Sequence, residues 1–493
     1  MGKYLNHYLS QTPKEQRDDG AVGFMASLDS IATVEPKVTE SIIAELQDQR
    51  NQLKMIASEN YCSLPVQLAM GNLLTDKYSE GYVHHRFYAG CENVDNVEEL
   101  ANEKLKKLFG CEHAYVQPHS GADANLVAFW AILVTRIQDK ELERIGENNL
   151  NKISEEDYQK IRHLLVNQKM MGMALNAGGH LTHGYRLNIS SKMMQAHTYD
   201  VDKATHLLDY AQIEKQAMEV KPLIMIAGYS AYPRLIDFAK MREIADKCGT
   251  TLMVDMAHFA GLVAGGVMKG NYNPIPFAHV VTSTTHKTLR GPRGGIVMCT
   301  DEYKAGVDKG CPIVLGGPLP HVMAAKALAF EEALQPSYST YAHQIVKNAQ
   351  ALADQLLKRG ANLVTGGTDN HLMVVDVLKT FGLNGRHAEN ALREANITVN
   401  RNTVPFDENG PWYTSGIRIG TPALTSRGLK EDEMRAIGDL IFDILSHVKP
   451  KQVENSSELS KNKVKFEKSA LDQYLKQVAD ILGQYPLYPE LAL

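Results

Sequence analysis

A single lysine, Lys287, stands in the run Val280-Val281-Thr282-Ser283-Thr284-Thr285-His286-Lys287-Thr288-Leu289-Arg290-Gly291-Pro292-Arg293-Gly294-Gly295. An apolar pair leads into hydroxyl residues, and a Gly/Pro/Arg-rich turn follows the lysine. That order puts the lysine at a strand end, facing a cavity rather than water. A desolvated lysine loses its charge and can form a Schiff base with an aldehyde. Pyridoxal phosphate is the aldehyde that enzymes most often hold this way. A random lysine is far more often a solvated loop residue, so the reading depends on partners elsewhere in the chain.

A pyridoxal phosphate site needs a carboxylate to keep the pyridine nitrogen protonated, because the protonated ring is the electron sink. Asp255 ends the run Thr251-Leu252-Met253-Val254 and precedes Met256-Ala257-His258. An acid at the carboxyl end of a parallel strand sits where open α/β sheets bind ligands. Alone, Asp255 reads better as a helix N-cap; with Lys287 ending a later strand, the cofactor role is favoured. The phosphate needs donors at a helix start. Ser120-Gly121-Ala122, opening a helix over 124–132, offers backbone amides and the positive end of the helix dipole.

Gly178-Gly179-His180-Leu181-Thr182-His183-Gly184 places two histidines in a glycine-framed turn. Without a carboxylate or a further histidine at ligand spacing, a metal site is not expected. A flat imidazole stacked on a pyridine ring is the better functional reading, against a satisfied loop histidine. In Ser415-Gly416-Ile417-Arg418-Ile419-Gly420-Thr421-Pro422 an arginine alternates with apolar residues. An inward arginine is costly unless it binds an anion, either an amino-acid carboxylate held bidentately or an internal salt-bridge partner. Asp76-Lys77-Tyr78-Ser79-Glu80-Gly81-Tyr82 and Arg86-Phe87-Tyr88-Ala89-Gly90-Cys91 are dense in tyrosine around Glu80. They suit proton transfer in a partly dry site or an aromatic subunit contact, and both hold if subunits share the site.

The elements that must position these residues alternate between strand and helix. The runs 223–228, 251–254 and 279–281 read as short buried strands, and 236–247 as a helix closed by Gly249. This pattern predicts an α/β fold with a large, mainly parallel sheet covered on both faces, followed by a smaller C-terminal α/β domain. Residues 1–75 read as an N-terminal extension and helical arm, weakly periodic to about residue 35 and then helical over 39–56. Residues 76–335 form the expected large domain, with a charged helical insertion at 141–168. Residues 336–493 form the small domain, with strands at 363–364, 372–377 and 397–399, a polar linker at 449–463 and a terminal helix at 466–482.

The 493 residues carry a net charge of −5 and are 44% hydrophobic, an ordinary globular composition long enough for two cores. Nucleic acid is not an expected partner. No apolar run spans a bilayer and no secretory core opens the chain, so a cytoplasmic location is expected. The six cysteines are scattered, which favours free thiols over disulfides or zinc ligands.

Together these motifs resemble one family. The Lys287 run, Ile56-Ala57-Ser58-Glu59-Asn60-Tyr61, Lys77 to Tyr82, Gly178 to Gly184, Val254 to His258 and Ser415 to Ala423 stand in the order found in serine hydroxymethyltransferases. The resemblance runs from about residue 35 to about 445. It implies a fold-type-I, aminotransferase-like enzyme that interconverts serine and glycine and transfers a one-carbon unit to tetrahydrofolate. It implies Lys287 as the Schiff-base lysine, His180 on the ring, Asp255 on the ring nitrogen, and Ser230 and His258 on the phenolic oxygen. Ser120, Gly121 and Ala122 would hold the phosphate, with Tyr78 and Gly317 from the neighbouring subunit of a homodimer. Arg418 would clamp the substrate carboxylate, Glu80 would carry protons, and Ser58 and Tyr88 would line the substrate site. His286 and Thr284 join Lys287, Glu80 and Tyr88 as expected catalytic residues. Folate contacts would come from Leu175, Gly179, Leu181, Asn402, Gly410, Pro411 and Trp412.

The chain departs from the family pattern at Phe87, where a second tyrosine is usual, at Val83-His84-His85, and at Cys311 to Gly317, where a glutamine usually precedes Gly-Gly. These departures cluster at the expected folate entrance and subunit boundary, so altered folate affinity is expected. A folate-independent aldolase or alanine racemase on the same scaffold, and a non-catalytic relative serving as a scaffold, are the competing readings.

Overall fold

Apolar strands buried on both faces build the centre of the molecule. The computed structural model describes residues 2–453 and 456–493. Its largest sheet has seven strands in the order His113–Tyr115, Gly295–Cys299, Val280–Thr284, Thr251–Asp255, Ile224–Gly228, Lys169–Met173 and Gln195–Tyr199. Five neighbouring strands pair in parallel. Gly295–Cys299 runs antiparallel to both of its neighbours, which makes the sheet mixed.

The period-2 alternation of the strands divides the core. Met225, Ala227, Leu252, Val254 and Val281 face one helical layer, which includes helices Glu92–Phe109 and Phe238–Cys248. Ile224, Ile226, Met253 and Val280 face the other, built on helices Gly121–Leu133 and Asp301–Asp308. Such two-sided burial is what a parallel sheet requires. In register, Asp255 stands opposite Gly228 on one side and Thr282 on the other; Asp255 and Gly228 end their strands, while the strand of Thr282 runs on to Thr284.

A smaller antiparallel sheet joins Leu372–Asp376, Gly416–Gly420 and Asn400–Asn402. Helices Pro336–Lys358, Gly385–Glu394, Glu431–His447 and Lys468–Gly483 bury its apolar face. Among the described residues no helix is long and apolar enough to cross a membrane. All six cysteines are free.

Several expected elements take a different form. The weakly periodic N-terminus is helical, at Lys3–Gln11 and Asp19–Val34. Asp18 caps the second helix through Ala21 N, and Asp29 accepts from the Tyr4 and Leu5 amides at 2.9 Å. The helix expected over 39–56 runs from Pro36 to Asn51. Leu53 and Lys54 leave it to pair in parallel with Ile397 and Thr398, so the burial of Leu53 comes from strand pairing across the chain. The strand expected at 397–399 is confined to Ile397 and Thr398, and the strand of the three-stranded sheet begins only at Asn400. The strand expected at 363–364 is a single bridge, Leu363 to Val375, followed by a 3-10 turn.

The polar linker expected at 449–463 is a hairpin of Lys449–Gln452 and Leu459–Lys465. Backbone pairing needs no apolar pattern, and polar side chains secure it: Asn384 and His387 bond the carbonyls of Lys461 and Ser460. Residues 454 and 455 of the expected linker lie outside the described residues. The stretch expected as an insertion continues helix Gly121–Leu133 through a π-helical turn into helix Asp139–Arg144, then forms helix Glu155–Val166.

Candidate functional site

Four connections at the carboxyl end of the large sheet converge with two strands of the small sheet on a cavity of about 570 Å³. His180 follows Lys169–Met173, Ser230 follows Ile224–Gly228, His258 follows Thr251–Asp255, and His286 and Lys287 follow Val280–Thr284. Arg418 enters from Gly416–Gly420, and Ser58 from the segment after Leu53–Lys54. This is the crevice in which open α/β sheets bind ligands. Leu175, Gly179, Leu181 and Asn402 also line it.

Burial lowers the Lys287 amine to about 8, with Asp255 opposing that shift and Arg418 and Arg293 adding to it. The amine is therefore far more nucleophilic at neutral pH than an exposed lysine. Asp255 shows the reverse balance. Burial opposes its charge, but hydrogen bonding and attraction from His183, attraction from His180 and a bond from Asn125 hold it well below the usual carboxylate range. Its Oδ2 accepts from Asn125 Nδ2 at 2.9 Å and lies 3.2 Å from His183 Nε2. Its Oδ1 accepts from Ala257 N at 3.1 Å, so Asp255 also serves the turn as a local cap.

His180 is held near 4, mainly by burial, and its ring is neutral at physiological pH. Its Nδ1 meets Thr182 Oγ1 at 2.8 Å and accepts from Thr182 N, which leaves the proton on Nε2. Burial likewise lowers His286 to about 3. Among the described residues the buried His286 Nδ1, at the wall of the cavity, has no hydrogen-bond partner.

Arg418 donates to Ser230 O at 2.6 Å and to Asn400 Oδ1 at 3.1 Å. Burial holds its guanidinium at about 10. Among the described residues no carboxylate pairs with it, so the internal salt bridge considered from the sequence is not formed. A half-buried guanidinium with no acidic partner among the described residues has the charge and geometry to bind a carboxylate.

Beside the cavity, Ser120 caps helix Gly121–Leu133 by accepting from Asp123 N at 3.2 Å. A Cβ on Gly121 would meet Thr284 Cγ2 at 2.6 Å, so glycine is required for the backbone to approach this strand end. Thr284 thus packs against the turn, and its Oγ1 reaches Ala257 O only at 3.4 Å.

A second group of expected residues stands apart from the cavity lining. Tyr78 and Tyr88 meet edge to face at 5.1 Å, and Tyr78 packs on Gly317. Desolvation and the neighbouring Glu80 carboxylate raise the Tyr88 phenol. Tyr78, Phe87 and Tyr88 are exposed. Gly410, Pro411 and Trp412 also lie outside the cavity lining, and Trp412 is 71% exposed. Within one chain, therefore, the Lys287 cavity gathers Ser58, His180, Ser230, His258, His286, Arg418 and four of the seven expected folate residues, but not Glu80, Tyr88, Tyr78 or Gly317.

The structure adds residues that sequence reasoning passed over. His183 and Asn125 orient Asp255, and Thr282 Oγ1 donates to Asn125 Oδ1 at 2.6 Å behind them. His371, fully buried, meets His258 through Nε2 and Nδ1 at 3.3 Å. Asn400 holds Arg418. His183 was visible in the glycine-framed turn, and the others carry no local signal. The carboxylate absent from the spacing of His180 and His183 arrives by tertiary contact, since one ligand-type atom from each of His180, His183 and Asp255 lies within 4.8 Å of the others. The hydrogen bonds of Asp255 and His180 already account for that proximity.

Comparisons with known proteins agree on one family. A family model described as Serine hydroxymethyltransferase matches residues 31–144 and 152–441, with its one interruption inside the helical excursion after Leu133. A serine hydroxymethyltransferase of Mycolicibacterium smegmatis is 55% identical over 476 residues, covering 97% of this chain and 96% of that protein. One from Treponema pallidum is 53% identical over 487 residues, covering 99% and 84%. One from Chlamydia trachomatis is 48% identical over 495 residues, covering 100% and 99%.

Proposed function

Because the chain belongs to the serine hydroxymethyltransferase family and interconverts serine and glycine, we propose that it does so with pyridoxal phosphate in the Lys287 cavity and with tetrahydrofolate as the one-carbon acceptor. The observation that carries this reading is a half-buried, weakly basic Lys287 in one cavity with Arg418, which pairs with no acid among the described residues, and an ionised Asp255 near enough to act on Lys287.

The residues fit the cofactor. The amides at the start of helix Gly121–Leu133 suit a phosphate dianion, and Gly121 lets that turn pack closely on Thr284. When bound, the cofactor supplies an electron sink that stabilises negative charge at the amino acid's α-carbon. Lys287 would offer its amine to the cofactor aldehyde. Asp255, ionised by His183 and Asn125, would hold a proton on the ring nitrogen. His180, a neutral imidazole, would lie against the ring. Ser230 and His258 would contact the phenolic oxygen.

Arg418 binds the substrate carboxylate and thereby orients the α-carbon, which decides the bond that breaks. For serine that bond joins Cα to Cβ. Glu80 and Tyr88 handle protons on the serine hydroxyl and the folate, with Tyr78 and Gly317 reaching the phosphate. Their separation from the cavity in a single chain is the reason to place them at the site of a second copy, in a homodimer with shared active sites. Leu175, Gly179, Leu181 and Asn402 receive the folate at the cavity, and Gly410, Pro411 and Trp412 close over it.

The test is serine turnover with and without tetrahydrofolate, together with visible absorbance of bound pyridoxal phosphate, in wild type and Lys287→Ala. Folate-dependent turnover and a lysine-dependent absorbance band are expected. Full turnover in Lys287→Ala, or turnover indifferent to folate, overturns the assignment.

A further inference from the structure

Helix Pro320–Ala333 carries one lysine, Lys326, inside the apolar run Met323-Ala324-Ala325-Lys326-Ala327-Leu328-Ala329-Phe330. Its side chain is 1% exposed. An ammonium has three N–H donors and no acceptor. Lys326 Nζ donates to three backbone carbonyls: Val116 at 2.5 Å, Pro118 at 3.0 Å and Gly295 at 2.9 Å. Among the described residues no carboxylate bonds to it, and Glu98 acts on it only at longer range.

The position of these carbonyls gives the lysine its task. The ladder between His113–Tyr115 and Gly295–Cys299 ends at Tyr115 opposite Val297. Beyond it the chain runs through Val116, Gln117 and Pro118 to the turn at Ser120. On the other side, Gly295 closes the loop that begins after Lys287. Pro118 O also accepts from Gly295 N at 2.9 Å, and a Cβ on Gly295 would meet Ser120 O at 2.1 Å. One buried cation therefore ties the backbone leading into the Ser120 turn to the backbone leaving the Lys287 loop.

We infer that Lys326 is a positioning residue that fixes the Ser120-Gly121-Ala122 turn, and so the amides that receive the cofactor phosphate, through its three carbonyl bonds. An apolar side chain of equal size would fill the same space but leave the Val116 carbonyl without this donor, at the point where the sheet no longer controls the backbone. Burial pulls the ammonium down to about 7, so holding its charge depends on the three carbonyls and on Glu98. The inference rests on the reading of the Ser120 turn as a phosphate cradle.

The experiment separates positioning of the phosphate from general structural support. Lys326→Met and wild type are titrated with pyridoxal phosphate and, separately, with pyridoxal, which lacks the phosphate, following absorbance. The expected result is a tenfold or greater loss of affinity for pyridoxal phosphate with pyridoxal binding unchanged within twofold. Equal losses for both ligands, or no loss for either, overturn the inference. Gly294→Ala is the second variant, for use if Lys326→Met does not fold: a Cβ there lies 2.5 Å from Lys326 Cε and must displace the side chain. The same phosphate-specific loss is expected, and its absence overturns the inference. Wild-type protein that binds neither ligand overturns the cofactor reading, and this inference with it.

Discussion

Arg418→Met tests whether the site was built for a carboxylate at the expense of stability. Burial holds the guanidinium at about 10, below its usual 12.5, and is the only cause of that shift. For a base, a lowered value in the folded state means that the charged form opposes folding at every pH below about 10. At roughly 1.4 kcal/mol per tenfold, that opposition is on the order of 3 kcal/mol. Against it stand the two hydrogen bonds to Ser230 O and Asn400 Oδ1, worth roughly 1.5 kcal/mol each as bonds from a charged donor. The terms nearly cancel, so methionine should change the unfolding free energy by less than about 1 kcal/mol. Removing a buried arginine paired to an acid ordinarily costs about 3–5 kcal/mol. Glycine binding should fall by roughly a hundredfold or more, since the ligand carboxylate loses its buried partner. The assay is urea denaturation with and without saturating glycine, in the presence of pyridoxal phosphate. Glycine should stabilise wild type and leave the variant unmoved. A loss above about 2 kcal/mol without glycine would make Arg418 a structural residue, and retained stabilisation by glycine would refute its role as the clamp.

Two further outcomes follow from the same kind of reasoning. In cofactor-free protein Lys287 titrates near 8 rather than at its usual 10.5. Between those values the unfolded chain binds a proton that the folded chain does not, so stability rises with pH across that window and is unaffected by this group below it. The wild-type stability minus that of Lys287→Met should climb by up to about 3 kcal/mol from pH 8 to 10.5, and a flat difference would show that the amine is not desolvated. Val478, fully buried on helix Lys468–Gly483, packs with Tyr474 and Leu482 into the small-sheet core. Val478→Ala should therefore cost roughly 2 kcal/mol, measured by denaturation, and a loss below about 0.5 kcal/mol would mean that the helix adds little to the fold.

Local chemistry made Lys287, Asp255, His180 and Arg418 legible in the sequence. Asp255 and Lys287 stand at or just past the ends of apolar runs, where side chains reach a crevice, His180 stands in a glycine-framed turn, and Arg418 stands in mid-strand, marked by its charge among apolar neighbours. The same periodicity made the large sheet readable, because strands buried on both faces need continuous apolar runs. It misled where backbone pairing alone decides the structure. The hairpin of Lys449–Gln452 and Leu459–Lys465 has almost no apolar signature. Leu53 continued a helical period yet belongs to a strand whose partner, Ile397, is 344 residues away. The identity of the groups that could hold a proton, an aldehyde or an anion follows from residue type alone. Their state comes from folding: Asp255 is ionised because His183 and Asn125 reach it, and among the described residues no acid is folded against Arg418. Folding also decided that Glu80 and Tyr88 stand away from the cavity of their own chain. Desolvation and hydrogen bonding between distant segments set those states, and neither is a property of any short stretch of residues.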